Sequence, residues 1–339
     1  RELDRCFVYA LVWSMASVLK EEDRTMFDEF LRARYDDAEK ESTVLQVLPG
    51  SVYDTVYRYD LRADRISSCS WVHYEEIVLT EQSRFDQSSN LMIVPTIQHI
   101  RARDQYIRFS KTGSVILVGG AASGKSTLLA DGIDSRRTSA EMEELGQGQD
   151  TIPALSSFKV SLTGPQGAEQ LQTIIERELE KKMAQTYGPR RSKCLIYIFQ
   201  DLNIPEPDKW GTRPACELIS QIAHEHGVYS TTKAGEWHSF EGIELTGTMV
   251  MNSQQSVDNI GSRILGRLIL LYVETPEEAQ LQNIFSQILS EQLKEQGKTK
   301  LNELVQIIVE MTISLLAWSS KRFVNTPLKP WLVFTARDA

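Results

Sequence analysis

The chain has 339 residues, enough for two or three compact units that each bury a core. Its net charge of -9, without a dense stripe of Lys and Arg, argues against a nucleic-acid groove, because phosphate backbones bind basic surfaces. Four scattered cysteines without C-x-x-C spacing indicate neither a zinc site nor a disulfide framework and fit a reducing compartment. The sequence contains no signal peptide and no apolar stretch of membrane-spanning length, so we expect a soluble, intracellular chain without a membrane partner.

The N-terminal region contains a helical pattern followed by irregular segments. Residues 1–34 have apolar positions at helical spacing and predict two helices packed as a hairpin. Because the chain begins at Arg1 inside the first predicted helix, we expect a piece of a longer protein. Residues 35–90 are mainly polar or lack a sustained period. A short apolar run then ends in a proline at position 95, and a helix is predicted over 97–109.

A phosphate-binding motif is the most specific signal in the chain. Residues 119–127 read Gly-Gly-Ala-Ala-Ser-Gly-Lys-Ser-Thr and follow the apolar run 115–118, which has the length and the β-branched content of a buried strand. This is the pattern G-x-x-x-x-G-K-[ST] between a strand and a helix. The alternative is a glycine-rich turn without a ligand, but the strand, the register and the following helix favour a nucleoside triphosphate site.

Each motif residue has an expected role. Gly119, Gly120 and Gly124 allow backbone conformations that turn successive N–H groups onto one anion. Lys125 is expected to reach the β- and γ-phosphates, and Ser126 to bind Mg²⁺.

The rest of the chain predicts an alternation of strands and helices. Strands are expected at 158–162, 194–199 and 244–251, helices at 168–182 and 215–226, and a further apolar segment at 267–273. This order implies a parallel sheet with both faces covered, which is the P-loop α/β architecture. Two long amphipathic patterns at 277–292 and 301–323 predict a helical lid.

Several polar residues are candidates for chemistry near the phosphates. P-loop ATPases place carboxylates at the end of a neighbouring strand, and here that strand ends in Gln200 and Asp201. Gln200 offers a neutral oxygen to a metal-bound water but no charge. Asp201 would polarise the attacking water, or it is only a turn acid. Asn252 would lie between the γ-phosphate and that water, or it simply opens a polar loop.

Two arginines, Arg263 and Arg267, lie four residues apart and could emerge on one face of a short helix. They are either a solvated pair or the source of an arginine finger directed at the nucleotide of an adjacent module.

Several longer runs resemble the AAA+ modules of dynein heavy chains. The strongest are Tyr-Gly-Pro at 187–189, Ile-Phe-Gln-Asp-Leu-Asn-Ile-Pro at 198–205 and Asp-Lys-Trp-Gly at 208–211. Residues 7–32 are similar to the end of a preceding module's lid, 93–96 to the loop that contacts adenine, and 326–338 to the lid segment with a phosphate-sensing Arg. The Trp-Gly pair, and the absence of the fourth-module pattern, favour the third of six ring modules with the end of the second attached. The axonemal branch fits better than the cytoplasmic one.

The resemblance implies an α/β fold of the AAA+ P-loop NTPase type with a helical lid. It implies four parts: 1–34, the end of the preceding lid; 35–90, a linker and entry segment; 91–275, the large nucleotide-binding domain; and 276–339, the start of the small lid. ATP or ADP with Mg²⁺ would be the cofactors. Hydrolysis is expected to be weak or absent, because Gln200 replaces an Asp that binds the Mg²⁺ shell.

The resemblance also implies a set of site residues. Arg263, or less well Arg267, would act on the second module's nucleotide and Arg337 on its own. The nucleotide would contact Val94, Pro95, Gly119, Gly120, Ala121, Ala122, Ser123, Gly124, Lys125, Ser126, Thr127 and Arg337; Asp201, Asn252 and Arg263 would be catalytic; Ser126 and Gln200 would lie at the metal.

The expected partners are neighbouring AAA+ modules, dynein intermediate and light chains, and microtubules through parts outside this chain, in the cytoplasm and the axoneme of a cilium or flagellum. No nucleic acid or membrane is expected. Two other interpretations remain open: a stand-alone P-loop kinase and a structural module with an empty pocket.

Overall fold

The computed structural model describes residues 2–37, 50–62, 65–81, 83–86, 91–145, 154–230, 233, 235–251, 260–295, 302–324, 326, 328, 329 and 333–338. The N-terminal elements are α1 (Glu2–Ala16), α2 (Glu21–Asp37), β1 (Thr55–Arg62), β2 (Arg65–His73), α3 (Tyr74–Thr80), β3 (Arg84–Asp86) and β4 (Leu91–Ile93). Helices α1 and α2 form the predicted hairpin, with Trp13 and Leu31 in one core cluster. The antiparallel β1–β2 hairpin was not predicted, because its apolar residues lack a clear alternation.

The central region contains the predicted sheet. Its elements are α4 (Ile97–Phe109), β5 (Val115–Gly119), α5 (Lys125–Leu145), β6 (Leu155–Ser161), α6 (Ala168–Arg177), β7 (Leu179–Met183), β8 (Thr186–Pro189), β9 (Cys194–Gln200), α7 (Pro214–Glu225), β10 (Gly227–Tyr229), β11 (Trp237–Phe240), β12 (Ile243–Val250), α8 (Ser262–Leu265) and β13 (Ile269–Tyr272). Five of the strands pair in parallel in the order β13-β5-β12-β9-β6. The predicted parallel α/β sheet is therefore confirmed.

Helices cover both faces of this sheet. Ile116 and Val118 of β5 face the cluster formed with α6 and α7, whereas Val115 and Leu117 face the cluster formed with α4 and α5. All five residues of β5 are buried, which explains why the strand is a continuous apolar run instead of an alternating one.

A second sheet replaces part of a predicted helix. The pattern at 168–182 predicted one charged helix, but α6 ends at Arg177 and the chain continues into the β7–β8 hairpin. Strands β10 and β11 complete a four-stranded sheet in the order β10-β11-β8-β7. The helix prediction failed because the consecutive charged residues Glu180, Lys181 and Lys182 are all exposed in β7, and a run of exposed charges fits a solvent-facing strand as well as a helix.

The C-terminal elements are α9 (Glu278–Glu295) and α10 (Asn302–Arg322), as the amphipathic patterns predicted. They pack through Val305, Val309 and Ile313 against Leu281, Phe285, Leu289 and Leu293. The segment Leu304–Arg322 has a mean hydropathy of 1.2 and is long and apolar enough to cross a membrane. The prediction that no such stretch exists was therefore wrong. One helix of this kind is weak support for a membrane span, since length and composition are its sole basis.

Candidate functional site

The phosphate-loop residues lie between β5 and α5, at the carboxyl end of the parallel sheet. A cavity of about 720 Å³ begins at this loop, a volume within the range of small-molecule sites. Ala122, Ser123, Gly124 and Thr127 line one end of the cavity. Many of the other lining residues are apolar, among them Phe85, Met92, Val94, Leu281, Ile284, Phe285 and Ile288. The cavity therefore joins a loop of backbone N–H groups to an apolar wall that includes helix α9.

The glycines of the loop are needed for two different reasons. Gly124 has a φ of 81° and Ala122 a φ of 60°, so the left-handed conformations belong to these two residues. Gly119 and Gly120 do not adopt a left-handed backbone conformation. A Cβ at Gly120 would lie 2.9 Å from the Oγ1 of Thr275. An added Cβ at Gly119 would meet backbone, so close approach and not conformational freedom requires glycine at position 119, which corrects the reason given from the sequence; at position 120 a rotation of the threonine side chain would make room.

Lys125 is buried at the centre of the loop. Its ammonium group donates hydrogen bonds to the carbonyl of Gly119 (3.0 Å) and to Oγ of Ser123 (3.1 Å). Burial lowers the pKa of Lys125 from 10.5 to about 8, the carboxylate of Asp201 acts in the opposite direction, and the guanidinium of Arg337 lowers the pKa further. The structure thus brings these three predicted residues within electrostatic reach of one another.

Asp201 follows the end of β9 in a left-handed conformation, with a φ of 56°. Its backbone N–H donates to Oγ1 of Thr248 (3.2 Å), and the next N–H, of Leu202, donates to the Thr248 carbonyl (2.9 Å). A non-glycine residue in this region is conformationally costly and persists where the surroundings hold it. The side-chain oxygen of Gln200 accepts a hydrogen bond from Oγ of Ser161 (2.9 Å).

The predicted arginines separate into two groups. Arg337 is exposed, next to Ala336, which lines the cavity. Arg263 lies in α8 with 72% of its side chain exposed and 4.0 Å from Glu217. Arg267 lies beyond the end of α8, so the two arginines do not share a helix as the spacing predicted. Asn252 lies outside the described residues.

The remaining predicted contacts differ in whether they line the cavity. Val94 lines it, whereas Pro95 lines an adjoining recess with Val78 and Asn283. Ala121 and Ser126 belong to the phosphate motif and are exposed.

Sequence reasoning missed a group of polar residues on the wall that carries Val94. Gln98, His99 and Glu274 line the cavity. Nε2 of His99 lies 2.8 Å from Oδ2 of the fully buried Asp131, which also contacts Arg103 at 3.1 Å. The available signal was helical spacing: residues 99 and 103 lie on one face of the predicted helix 97–109.

Comparison with known proteins identifies the family of the chain. The sequence model of the P-loop containing dynein motor region matches residues 82–276, more than half of the chain. The chain belongs to the dynein heavy chain family. Residues 1–76 match the dynein heavy chain AAA lid domain. The fold is accordingly that of an AAA+ P-loop NTPase with a lid, and the resemblance seen in the sequence is confirmed.

Similar dynein chains include axonemal and ciliary proteins. The chain is 25% identical to dynein axonemal heavy chain 5 of Rattus norvegicus, over 99% of this chain and 9% of the relative. It is 25% identical to the dynein-1-beta heavy chain of the flagellar inner arm I1 complex of Chlamydomonas reinhardtii, over 98% of this chain and 7% of the relative. It is 26% identical to the ciliary dynein beta chain of Heliocidaris crassispina, again over 98% of this chain and 7% of the relative. The chain thus spans less than a tenth of the length of these relatives.

Proposed function

We propose that this dynein chain is the third AAA+ module of a motor ring, preceded by the end of the second module's lid, and that it binds ATP or ADP. The 720 Å³ cavity that connects the phosphate loop to an apolar wall supports nucleotide binding, and the Trp-Gly pair at 210–211 supports the position as third module. The dimensions of the cavity suit a polyphosphate at the loop and a base against Val94 and α9. The four parts expected from the sequence, 1–34, 35–90, 91–275 and 276–339, belong to the same proposal.

The loop residues fit the polyphosphate. A Cβ at position 119 would meet backbone, so the loop has a fixed close-packed form at its first residue. Lys125 already donates to loop oxygens, and phosphate oxygens of a nucleotide would replace these acceptors. Arg337 would contact the phosphates from the lid side. Val94 and Pro95 would contact the base.

A magnesium ion would be held jointly with the nucleotide. Within the described ranges, no three His, Cys, Asp or Glu side chains are grouped so that they alone could hold a metal ion. Mg²⁺ commonly takes one or two protein oxygens plus phosphates, and Ser126 and Gln200 would supply them here. The ion would offset charge on the phosphates.

The same residues support a regulatory module with slow or absent hydrolysis. Asp201 is held by Thr248 at the end of β9, where it would orient a water beside the γ-phosphate. Gln200 supplies no charge at the neighbouring position. The ring would then use the nucleotide state of this module as a signal and not as its main source of work.

The wider motor context is also part of the proposal. Neighbouring AAA+ modules would be the direct partners, and the exposed Arg263 would act on the second module's nucleotide. Microtubules and dynein intermediate and light chains would bind other parts of the heavy chain. The relatives named as axonemal and ciliary support a location in the axoneme.

Isothermal titration calorimetry with Mg-ATP tests the nucleotide site. Lys125→Ala should abolish measurable binding, whereas Lys111→Ala, which changes an exposed lysine outside the cavity, should leave it unchanged. Equal affinity in the wild-type chain and the Lys125→Ala variant would refute the site. A wild-type chain that does not retain labelled ATP in equilibrium dialysis would instead support a structural module.

Gel filtration separates the proposal from a stand-alone kinase. The apolar residues Ile307, Met311 and Leu315 of α10 are more than half exposed. Exposed apolar surface of this kind is expected where a ring module is separated from its neighbours. The chain should therefore self-associate. A monodisperse chain that transfers phosphate to a small molecule would favour the kinase.

A further inference from the structure

The N-terminal helical hairpin is attached to the edge strand of the main sheet. The backbone N–H of Tyr272 in β13 donates to the carbonyl of Ser17 (3.0 Å), and Oγ of Ser17 donates to the carbonyl of Leu270 (3.0 Å). Ser17 directly follows α1, so the turn between α1 and α2 is fixed to β13. Any movement of this turn must therefore be transmitted to the end of β13 or break these bonds.

The chain beyond β13 forms one wall of the nucleotide cavity. Val273 and Glu274 both line the cavity. Nε2 of Gln98 donates a hydrogen bond to a carboxylate oxygen of Glu274 (3.1 Å), and Gln98 lines the cavity four residues after Val94. The Glu274 carboxylate thus holds a polar side chain on the wall where the base is proposed to bind.

On its other side, Glu274 lines a small cavity together with Arg24 of α2. Burial, and next the carboxylate of Glu21, raise the pKa of Glu274, while the guanidinium of Arg24 lowers it. Arg24 is only 5% exposed; its guanidinium lies 3.5 Å from the carboxylate of Glu21, and it lines one small cavity together with Glu274. A buried guanidinium is costly unless it is paired, so Arg24 has a strong electrostatic preference for keeping these carboxylates in place.

A gap the size of one water lies within this contact. A cavity of about 10 Å³ is lined by Trp13, Arg24, Arg101, Gln98 and Glu274, among others. The Nε1–H of Trp13 and the Nε–H groups of Arg24 and Arg101 are buried and have no hydrogen-bond partner. One water at this place would satisfy buried donors and extend the polar contact from the hairpin to Glu274.

We propose that Glu274 is a positioning residue of the nucleotide pocket: it holds Gln98 at the base end, and it is coupled electrostatically to Arg24 of the N-terminal hairpin across the small cavity that both residues line. The preceding lid would then set the affinity of this module for the base-bearing part of its ligand. The inference rests on the proposed nucleotide site, and it adds that the N-terminal hairpin regulates the affinity of that site.

The experiment compares two ligands that share the phosphates but differ in the base. Affinities of the 339-residue chain for Mg-ATP and Mg-tripolyphosphate are measured by calorimetry. Glu274→Ala should weaken Mg-ATP binding about threefold or more, a change of the size found for residues that couple two sites, while tripolyphosphate binding stays within about twofold. The matched control is Glu277→Ala, an exposed glutamate three residues later, which should change neither affinity.

A second variant guards against simple unfolding of the pocket. Arg24→Met removes the charge of an α2 residue that does not line the nucleotide cavity, and this variant should also weaken Mg-ATP binding. Its control is Arg34→Met, which changes an exposed arginine of the same helix. The double variant Arg24→Met, Glu274→Ala should lose less than the product of the two single effects, because both changes act through one electrostatic interaction.

The outcomes distinguish the two proposals. Parallel losses of Mg-ATP and tripolyphosphate, or unchanged affinities in both single variants, would overturn the positioning role. A wild-type chain that binds neither ligand would overturn the nucleotide site itself.

Discussion

The carbonyl oxygen of Val273 lies 2.2 Å from the position that a Cβ on Gly119 would occupy. Val273, which directly follows β13, also donates its N–H to the carbonyl of Val118 (2.7 Å), so the chain after β13 is bonded to the end of β5 where the phosphate loop begins. The first glycine of the motif is therefore required by a neighbouring strand.

Gly119→Ala should damage both stability and binding. The added methyl group meets backbone and not a flexible side chain, so the loop or β13 must move, at a cost of about 1–3 kcal/mol in the free energy of unfolding. Mg-ATP affinity should fall as the loop shifts. Urea denaturation and calorimetry measure the two effects. Gly261→Ala is the control, since a Cβ there meets nothing within 4 Å. Equal stability of the two variants would contradict the close approach.

Gln200→Asp should raise any ATP turnover of the chain. A carboxylate at this position would add charge near the metal shell, an effect worth about tenfold or more in a partly desolvated site. Steady-state phosphate release measures the rate. Gln200→Asn is the matched control, because it has the shape of Asp without the charge. A wild-type chain with brisk turnover that neither change affects would discard the idea that Gln200 limits hydrolysis.

His99 should make the chain less stable in mild acid. Burial, and next the guanidinium of Arg103, lower the pKa of His99 to about 4, while Glu81 acts in the opposite direction and Arg84 lowers it. The unfolded chain takes up a proton near pH 6.5 and the folded chain near pH 4. The contribution of neutral His99 to the free energy of unfolding is therefore fully present above pH 6.5. It is lost as the pH falls towards 4, and the total loss is about 3 kcal/mol.

The measurement is urea denaturation at pH 7 and pH 5. The wild-type chain should lose about 2 kcal/mol more over this interval than His99→Gln, which keeps a donor for Asp131 but does not titrate. The same loss in both proteins would show that His99 is charged in the folded state or that other groups dominate.

Arg337→Ala should weaken Mg-ATP binding about tenfold, the scale of one hydrogen bond to a charged group. The expectation follows from the position of Arg337, whose positive charge acts on the Lys125 ammonium at the phosphate loop and lowers the pKa of Lys125. ADP binding should change less, because a residue on the lid side would meet the terminal phosphate first. Arg322→Ala, an exposed arginine at the end of α10, is the control. Equal losses for ATP and ADP would argue against a sensor of the terminal phosphate.

Much of the sheet and the loop could be predicted from the sequence because their signals are local. Helix α4 was predicted with its observed bounds, and the buried strands were visible as apolar runs. The phosphate motif is contiguous, so its placement between β5 and α5 needed no tertiary information. Strands β7 and β8 were missed because pairing, and not local pattern, decides the structure of charged segments.

The polar wall of the site could not be predicted, because its members are far apart in the chain. Gln98 and Glu274 are separated by 176 positions, and Arg24 lies in another structural part. No spacing rule links such residues; only the parallel order of the strands brings the end of β13 beside the start of α4.

The backbone at Asp201 affects how genetic variants there should be interpreted. A residue that replaces Asp201 must adopt a φ of 56°, a conformation that is favourable for Asn and Gly and unfavourable for β-branched residues. An allele with Val or Ile at this position would combine a conformational penalty with the loss of a carboxylate. Asn is the substitution that reports on the chemistry alone.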